Sequence, residues 1–256
     1  MITSIIRNFK KKLHDDFVVG VFSKTSDPAF IEIMGHGGFD FVIIDLEHGP
    51  NSVQTVQNLV RGATVGGIMP IVRVKEDSYS VMGEVLDIGA GGIQVPHINN
   101  APMAEAVIEQ CKFSPMGMRG MCRFVRAADY SSMDRFQYFK ESNETVVILQ
   151  LEGKEAIAGL DGILEVAGID VIFIGPYDLS QSLGVPGEVD HLKVEKAMKE
   201  IVEKSIRKKI AVGTFVDTIK NAVKWRSVGV KYISYSVDVG IFYDKCVEIA
   251  KKLRSQ

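Results

Sequence analysis

The sequence predicts an α/β fold closed as a (β/α)8 TIM barrel. Three observations carry this. A short apolar run followed by a run of helical spacing recurs eight times along the chain. The apolar runs are continuous rather than alternating, as in parallel strands buried on both faces. The length of 256 residues is that of eight such units. A doubly wound open sheet is the rival architecture. Its dinucleotide form needs a Gly-x-Gly-x-x-Gly turn, and the chain has neither that turn nor a Walker A loop. No nucleotide cofactor is therefore expected.

Residues 1–16 set Ile5, Ile6, Phe9 and Leu13 against Arg7, Lys10, Lys11 and Lys12. This spacing predicts an amphipathic helix covering one end of a domain, not a secretory signal with its unbroken apolar block. The first unit pairs a strand at 17–22 with a helix at 28–34. The second pairs 41–46 with 53–65, the third 70–74 with 78–88, and the fourth 92–96 with 102–112. The segment 113–145 breaks the repeat. It is rich in Met, Arg and Tyr, packs over a barrel end, and reads as a lid or an oligomer contact. The fifth unit pairs 146–151 with 156–166. The sixth has a strand at 171–174 and its main helix at 192–207. The seventh pairs 210–215 with 217–227, and the eighth 232–235 with 239–253. No linker interrupts the series, so residues 1–256 read as one domain.

Composition excludes several function classes. Thirty Lys and Arg balance 32 Asp and Glu, for a net charge of −2, which leaves no electrostatic case for nucleic acid. No apolar run approaches the ~20 residues of a membrane helix. The three cysteines, Cys111, Cys122 and Cys246, are odd in number and match no metal spacing. They read as reduced thiols of a cytoplasmic protein. Helical patterning makes Cys111 and Cys246 core candidates, whereas Cys122 falls in a loop.

In such a barrel, chemistry collects at the C-terminal ends of the strands. Those ends carry Asp45-Leu46-Glu47-His48, Arg73, Pro96-His97, Gln150-Leu151-Glu152, Gly175-Pro176-Tyr177-Asp178, Ser236 and Asp238. Glu152 and Asp178 follow consecutive strands. Two neighbouring carboxylates repel unless a counter-charge sits with them, and a hard divalent cation such as Mg²⁺ or Mn²⁺ supplies one. The competing reading is an Asp178 that caps the turn before Leu179. His48 is a candidate general base, with Asp45 nearby to raise its basicity. Arg73 lies in an apolar strand and needs an anionic partner, either an internal Asp or a substrate carboxylate. His97 is a weaker candidate. Lys75 reads as the only lysine near a strand's C-terminal end, and so as the only Schiff-base candidate.

Taken in order, Asp45-Leu46-Glu47-His48-Gly49-Pro50-Asn51, Arg73, Gln150-Leu151-Glu152 and Gly175-Pro176-Tyr177-Asp178-Leu179-Ser180 resemble the HpcH/HpaI family. These are metal-dependent class II pyruvate aldolases of the 4-hydroxy-2-oxoheptanedioate aldolase type. The resemblance runs from about residue 18 to residue 253. It implies a barrel of the phosphoenolpyruvate/pyruvate type that cleaves 4-hydroxy-2-oxo acids to pyruvate and an aldehyde. It implies Glu152 and Asp178 as ligands of Mg²⁺, Mn²⁺ or Co²⁺, His48 as base and Arg73 as transition-state cation. It ranks Asp87 ahead of Asp45 as the acid that raises the basicity of the histidine. Gln150, Gly175, Pro176 and the backbone at Tyr177 and Asp178 match substrate-binding positions. Arg119 and Arg126 match an arginine-bearing loop. It further implies a homo-hexamer, a trimer of dimers that exchange the last helix. Tyr177 departs from the family, whose best-known members carry a small residue there, and Arg123 and Phe124 also replace smaller residues. These departures bear on the aldehyde side. Two other classes share the scaffold: a CoA-thioester lyase of the citrate lyase β or malyl-CoA type, and a phosphoenolpyruvate-type phosphoryl enzyme. A non-catalytic barrel that senses a keto acid is the remaining alternative.

Overall fold

The computed structural model describes residues 2–76 and 78–255. Eight parallel strands close into a barrel in sequence order. They are β1 (Val18–Ser23), β2 (Phe41–Asp45), β3 (Met69–Arg73), β4 (Gly92–Val95), β5 (Val146–Leu151), β6 (Val171–Ile174), β7 (Ala211–Val216) and β8 (Tyr232–Val237). The helices are α1 (Ile2–Asp15), α2 (Pro28–His36), α3 (Val53–Gly66), α4 (Tyr79–Asp87), α5 (Ala101–Cys111), α6 (Arg135–Ser142), α7 (Lys154–Ala158), α8 (Leu160–Ile163), α9 (Pro176–Ser182), α10 (Leu192–Arg207), α11 (Ile219–Val228) and α12 (Asp238–Arg254). Among the described residues no helix is long and apolar enough to cross a membrane.

The strands are continuous apolar runs because both of their faces are covered. Val42, Ile44, Val72, Val147, Leu149, Ile172 and Ile174 pack outward against the helices. Phe41, Ile43, Met69, Ile71, Val146, Ile148, Val171 and Phe173 fill the barrel interior. Side chains alternate along a strand with period two. Counting on from the interior residues, the next inward positions are Asp45 after Ile43, Arg73 after Ile71, Gln150 and Glu152 after Ile148, and Gly175 after Phe173. Lys24 after Phe22 and Asp217 after Phe215 keep the same parity. One row of inward positions thus turns from apolar to polar as the strands reach their C-terminal ends.

At the opposite end, Ile6, Phe9 and Leu13 of α1 plug the interior. Phe9 meets Phe41 edge-on at 6.0 Å, and Phe41 stacks on Tyr232 at 3.9 Å. Gly20 makes room for that stack, since a Cβ there would lie 2.3 Å from the Phe41 ring. The segment between α5 and β5 lies at this same end. Phe113, Ala128 and Tyr138 form its small core, and Arg7 of α1 holds Glu144 at 2.7 Å. Lys112 is buried and donates to the carbonyls of Asn143 (2.9 Å) and Thr145 (2.5 Å). Within its own chain the segment therefore packs far from the strand C-termini, which excludes a lid over the chain's own site.

Some expected details are corrected. The helix expected at 156–166 is divided into α7 and α8 at Gly159, which packs against the Asn99 carbonyl. Cys246 is exposed, because α12 rests mainly on β1 and β8 and leaves much of its surface free. Cys111 is buried, and burial pushes its thiol up to about 12.

Asp238, the first residue of α12, ties the barrel's closing seam. Its carboxylate accepts from the Ser23 hydroxyl (2.7 Å), the Thr25 hydroxyl (3.1 Å) and the backbone N–H groups of Lys24 (3.1 Å) and Thr25 (3.2 Å). Asp238→Ala leaves these donors without their acceptor. It is expected to lower stability by about 2–4 kcal/mol in urea denaturation, with Ser23→Ala costing less.

Candidate active site

A cavity of about 360 Å³ opens at the C-terminal ends of the strands. Its wall includes His48, Arg73, Gln150, Gly175, Pro176, Tyr177 and Asp178, which are seven of the residues singled out in the sequence. Lys24, Asp217, Phe22, Phe173 and Phe215 complete most of the rest.

Arg73 and Asp45 are register partners on adjacent strands. Arg73 donates through Nε to Asp45 Oδ1 (2.9 Å) and through Nη2 to Oδ2 (2.7 Å), a two-pronged contact that suits a planar guanidinium. Its Nη1 lies 2.9 Å from Glu47 Oε2, and the group sits over the Phe22 ring at 4.7 Å. Of the two partners the sequence left open, an internal Asp is the one present. Asp45 also accepts from the backbone N–H of Glu47 (3.0 Å) and of His48 (3.3 Å). These bonds shape the turn that carries His48 to the cavity wall. The imidazole of His48 is mostly exposed there, with Nε2 3.9 Å from Glu47 Oε2.

Glu152 is buried just past β5. Its Oε2 accepts from the Gln150 amide (2.6 Å), and Gln150 Oε1 accepts from Gln94 (2.6 Å). Its Oε1 accepts from the backbone N–H of His97 (2.9 Å) and lies 3.0 Å from the imidazole Nδ1 of His97. The other ring nitrogen of His97 lies 3.3 Å from Glu47 Oε1. His97 holds this bridge with φ at 57°, a left-handed conformation unusual for a residue with a side chain. Gly175 lets the backbone pass close beside Glu152, since a Cβ there would lie 2.6 Å from Oε2 and displace that carboxylate. Burial pushes the Glu152 carboxyl above its ordinary range. Gln150 and His97 counter that only partly, and the charge of Asp178 adds to the rise.

A desolvated carboxylate beside a second carboxylate is a pair that a cation would relieve. Both donors are hard oxygens, which fits Mg²⁺ or Mn²⁺ with water or substrate oxygens completing the shell. Among the described residues no three or more His, Cys, Asp or Glu side chains form a closed metal cage. Glu152 and Asp178, coupled by charge, are the two carboxylates here that could hold such an ion. Asp178 lies in the first turn of α9, whose N-cap residue is Gly175.

Other expected residues lie elsewhere. Asp87 ends α4, at the barrel end closed by α1, and accepts from Arg119 (2.5 Å). Arg119 in turn sits over the Phe113 ring. Arg126 donates to the Ile88 carbonyl (3.2 Å) and the Thr64 hydroxyl (3.2 Å) at that same end. Within one chain neither reaches the cavity, so Asp87 does not meet His48 there, whereas Asp45 contacts the His48 backbone. Lys75 is exposed. Lys24, overlooked in the sequence, follows β1 directly and lines the cavity, with Nζ 3.7 Å from Asp45 Oδ2. In the sequence Asp217 stands at the start of a predicted helix. It lines the cavity and accepts a hydrogen bond from the Tyr177 hydroxyl. The inward parity of both residues was the available signal.

Burial pushes the Asp45 carboxyl up, but the hydrogen bonds and charge of Arg73 outweigh it and hold the group below its ordinary value. The stability this contributes is complete above the pKa of an unfolded-chain aspartate and is lost as pH falls through the lowered native value. The stability advantage of the wild type over Asp45→Asn is therefore expected to shrink as pH falls through the acidic range. Chemical denaturation of both proteins over a pH series checks this.

The family model described as HpcH/HpaI aldolase/citrate lyase matches residues 18–244. A 2-keto-3-deoxy-L-rhamnonate aldolase of Salmonella gallinarum is 32% identical over 237 residues, covering 91% of this chain and 88% of that protein. A solved HpcH/HpaI aldolase/citrate lyase family protein from Burkholderia cenocepacia J2315 superposes with a TM-score of 0.91 at 28% identity, covering 96% of this chain and 99% of the other. A solved citrate synthase superposes with a TM-score of 0.86 at 29% identity, covering 96% and 98%.

Proposed function

The chain belongs to the HpcH/HpaI aldolase/citrate lyase family and is a carbon–carbon lyase of the class II aldolase kind; from that premise we propose that it cleaves 4-hydroxy-2-oxo acids to pyruvate and an aldehyde, and runs the reverse addition. The observation that carries this reading is the meeting of His48, Arg73, Gln150 and Asp178 in one cavity, with Glu152 buried beside Gln150.

Glu152 and Asp178 would hold a divalent cation, Mg²⁺ or Mn²⁺, which when bound polarises the 2-keto oxygen as a Lewis acid. The chain's own residues do the rest. The substrate carboxylate is received by the first backbone N–H groups of α9, at Tyr177 and Asp178, which have no partner within a helix. Gln150 is locked between Gln94 and Glu152, so its amide cannot rotate away from the substrate side. His48 takes the proton of the C4 hydroxyl, the C3–C4 bond breaks and the aldehyde leaves. The bonding electrons pass into the C2–C3 enolate of pyruvate. Arg73 lends positive charge to that enolate from a position fixed by Asp45 and Glu47. Protonation at C3 gives pyruvate. Asp45 supports this indirectly, by holding Arg73 and the His48 turn.

Pyruvate incubated with the protein in D2O tests the enolate half without any aldehyde. Methyl-proton loss followed by NMR is expected with Mg²⁺ and with Mn²⁺ (read after metal removal), and not with a chelator. Glu152→Gln is expected to abolish it. His48→Ala and Arg73→Lys are each expected to lower the aldol rate about 100-fold or more. Absence of exchange with metal bound would overturn the reading and pass the site to a CoA thioester or a phosphoryl substrate.

The chain is also proposed to work as a homo-hexamer. Val239, Phe242, Tyr243, Ile249 and Leu253 leave apolar surface exposed along α12, which supports burial against another copy. Light scattering is expected to give six times the 28.2 kDa chain mass; a monomer would refute it.

A further inference from the structure

The cavity carries polar groups that enolate chemistry does not use. Tyr177, from the first turn of α9, donates its hydroxyl hydrogen to Asp217, which follows β7. The Tyr177 ring leans on Phe215 at 6.1 Å, so the pair is braced from below. With its one proton given to Asp217, the pair turns oxygen lone pairs and one negative charge toward the cavity. Lys24 supplies donors from the β1 side of the same cavity. Phe22, Phe173 and Phe215 make the floor between them apolar.

We propose that Tyr177 and Asp217 form the wall that reads the aldehyde half of the substrate, and that it selects a neutral hydroxylated aldehyde over one ending in a carboxylate. The inference rests on the pyruvate–enolate reading above. A hydroxyl both donates and accepts, so it is satisfied between the acceptors of Asp217 and Tyr177 and the donors of Lys24. On the Tyr177–Asp217 side a terminal carboxylate has no hydrogen to offer and meets the charge of Asp217, while the Lys24 ammonium on the far side is shared with Asp45 at 3.7 Å. An alkyl tail leaves the polar wall without partners, which costs binding whenever the wall is desolvated.

The test compares kcat/KM for addition of pyruvate to glyceraldehyde, butyraldehyde and succinic semialdehyde, in the metal-loaded wild type, Asp217→Asn and Tyr177→Phe. The wild type is expected to prefer glyceraldehyde. Asp217→Asn is expected to lower the glyceraldehyde-to-butyraldehyde ratio at least about tenfold, and to raise the ratio for succinic semialdehyde. Tyr177→Phe is expected to lower the first ratio in the same direction, and it decides the matter if Asp217→Asn does not fold. General damage to the site lowers all three rates together and leaves the ratios where they were. Ratios within about twofold of wild type in the folded variants would overturn the proposal. Deuterium exchange into pyruvate by the wild type separates the two levels. Exchange with unmoved ratios sinks the specificity wall alone, whereas no exchange sinks the enolate reading and this inference with it.

Discussion

A buried arginine at the end of β3 constrains everything around it. Arg73 cannot leave its charge unpaired in the barrel mouth, and Asp45 faces it across the β2–β3 ladder as its register partner. The pairing sets more than two side chains. The same Asp45 carboxylate gathers the N–H groups of Glu47 and His48, so the turn after β2 is shaped by the group that holds the arginine. Glu47 then takes the other face of Arg73 and reaches His97, which reaches Glu152, which is held by Gln150 and through it Gln94. Charges and amides from β2, β3, β4 and β5 are thereby fixed relative to one another. Ion pairs buried in this way add little net stability compared with apolar packing, although breaking one costs about 3–5 kcal/mol. What the network provides is position, which is what electrostatic catalysis requires.

The site's legibility in the sequence follows from period two. Asp45, Arg73, Gln150 and Glu152 stand out because each is polar directly after an apolar run, at the parity of the core residues beneath it. Lys24 and Asp217 have the same parity but are masked by their local sequence. Lys24 lies in the polar string Ser23-Lys24-Thr25-Ser26, which looks like an ordinary loop, and Asp217 precedes α11, where an acidic residue reads as a helix start. His97 looked weak because its importance lies in bridging Glu47 and Glu152, two residues distant from it in sequence. Asp87 and Arg126 show how packing within one chain places a residue: α4 ends beside the 113–145 segment, where Asp87 accepts from Arg119 and Arg126 donates to the Ile88 carbonyl.

The barrel's two ends divide the work. One end is closed by aromatic packing between α1 and the strand starts, together with the cluster around Phe113 and Tyr138. Nothing reactive is needed there, and the apolar plug lets the interior be dense without a pore. At the other end the interior becomes polar within one inward step of Ile43, Ile71 and Ile148. That abrupt change puts the buried Glu152 carboxylate over an apolar floor, with the exposed Asp178 at its rim. In the proposed function, burial of Glu152 would raise the value of a cation held with Asp178, and so short a set of protein ligands would leave room for the two oxygens of a 2-oxo acid.

The same polar row separates into two arcs around the barrel. From β2 to β6 it carries the groups to which the proposed enolate chemistry is assigned, tied together by the Asp45–Arg73–Glu47–His97–Glu152 chain of contacts. From β6 through β7 to β1 it carries Tyr177, Asp217 and Lys24, and of these Lys24 alone touches that chain, through Asp45 at 3.7 Å. Tyr177 and Asp217 are bonded to each other rather than to the catalytic groups. A substitution within the first arc disturbs several strands together, because each member orients the next. A substitution at Asp217 changes one exposed carboxylate and the hydroxyl bonded to it. Under the proposed chemistry, the sparse side-chain contact between the arcs would let the wall at Tyr177 and Asp217 vary while the groups assigned to the enolate keep their geometry. A scaffold built this way would hold its first substrate constant and change its second.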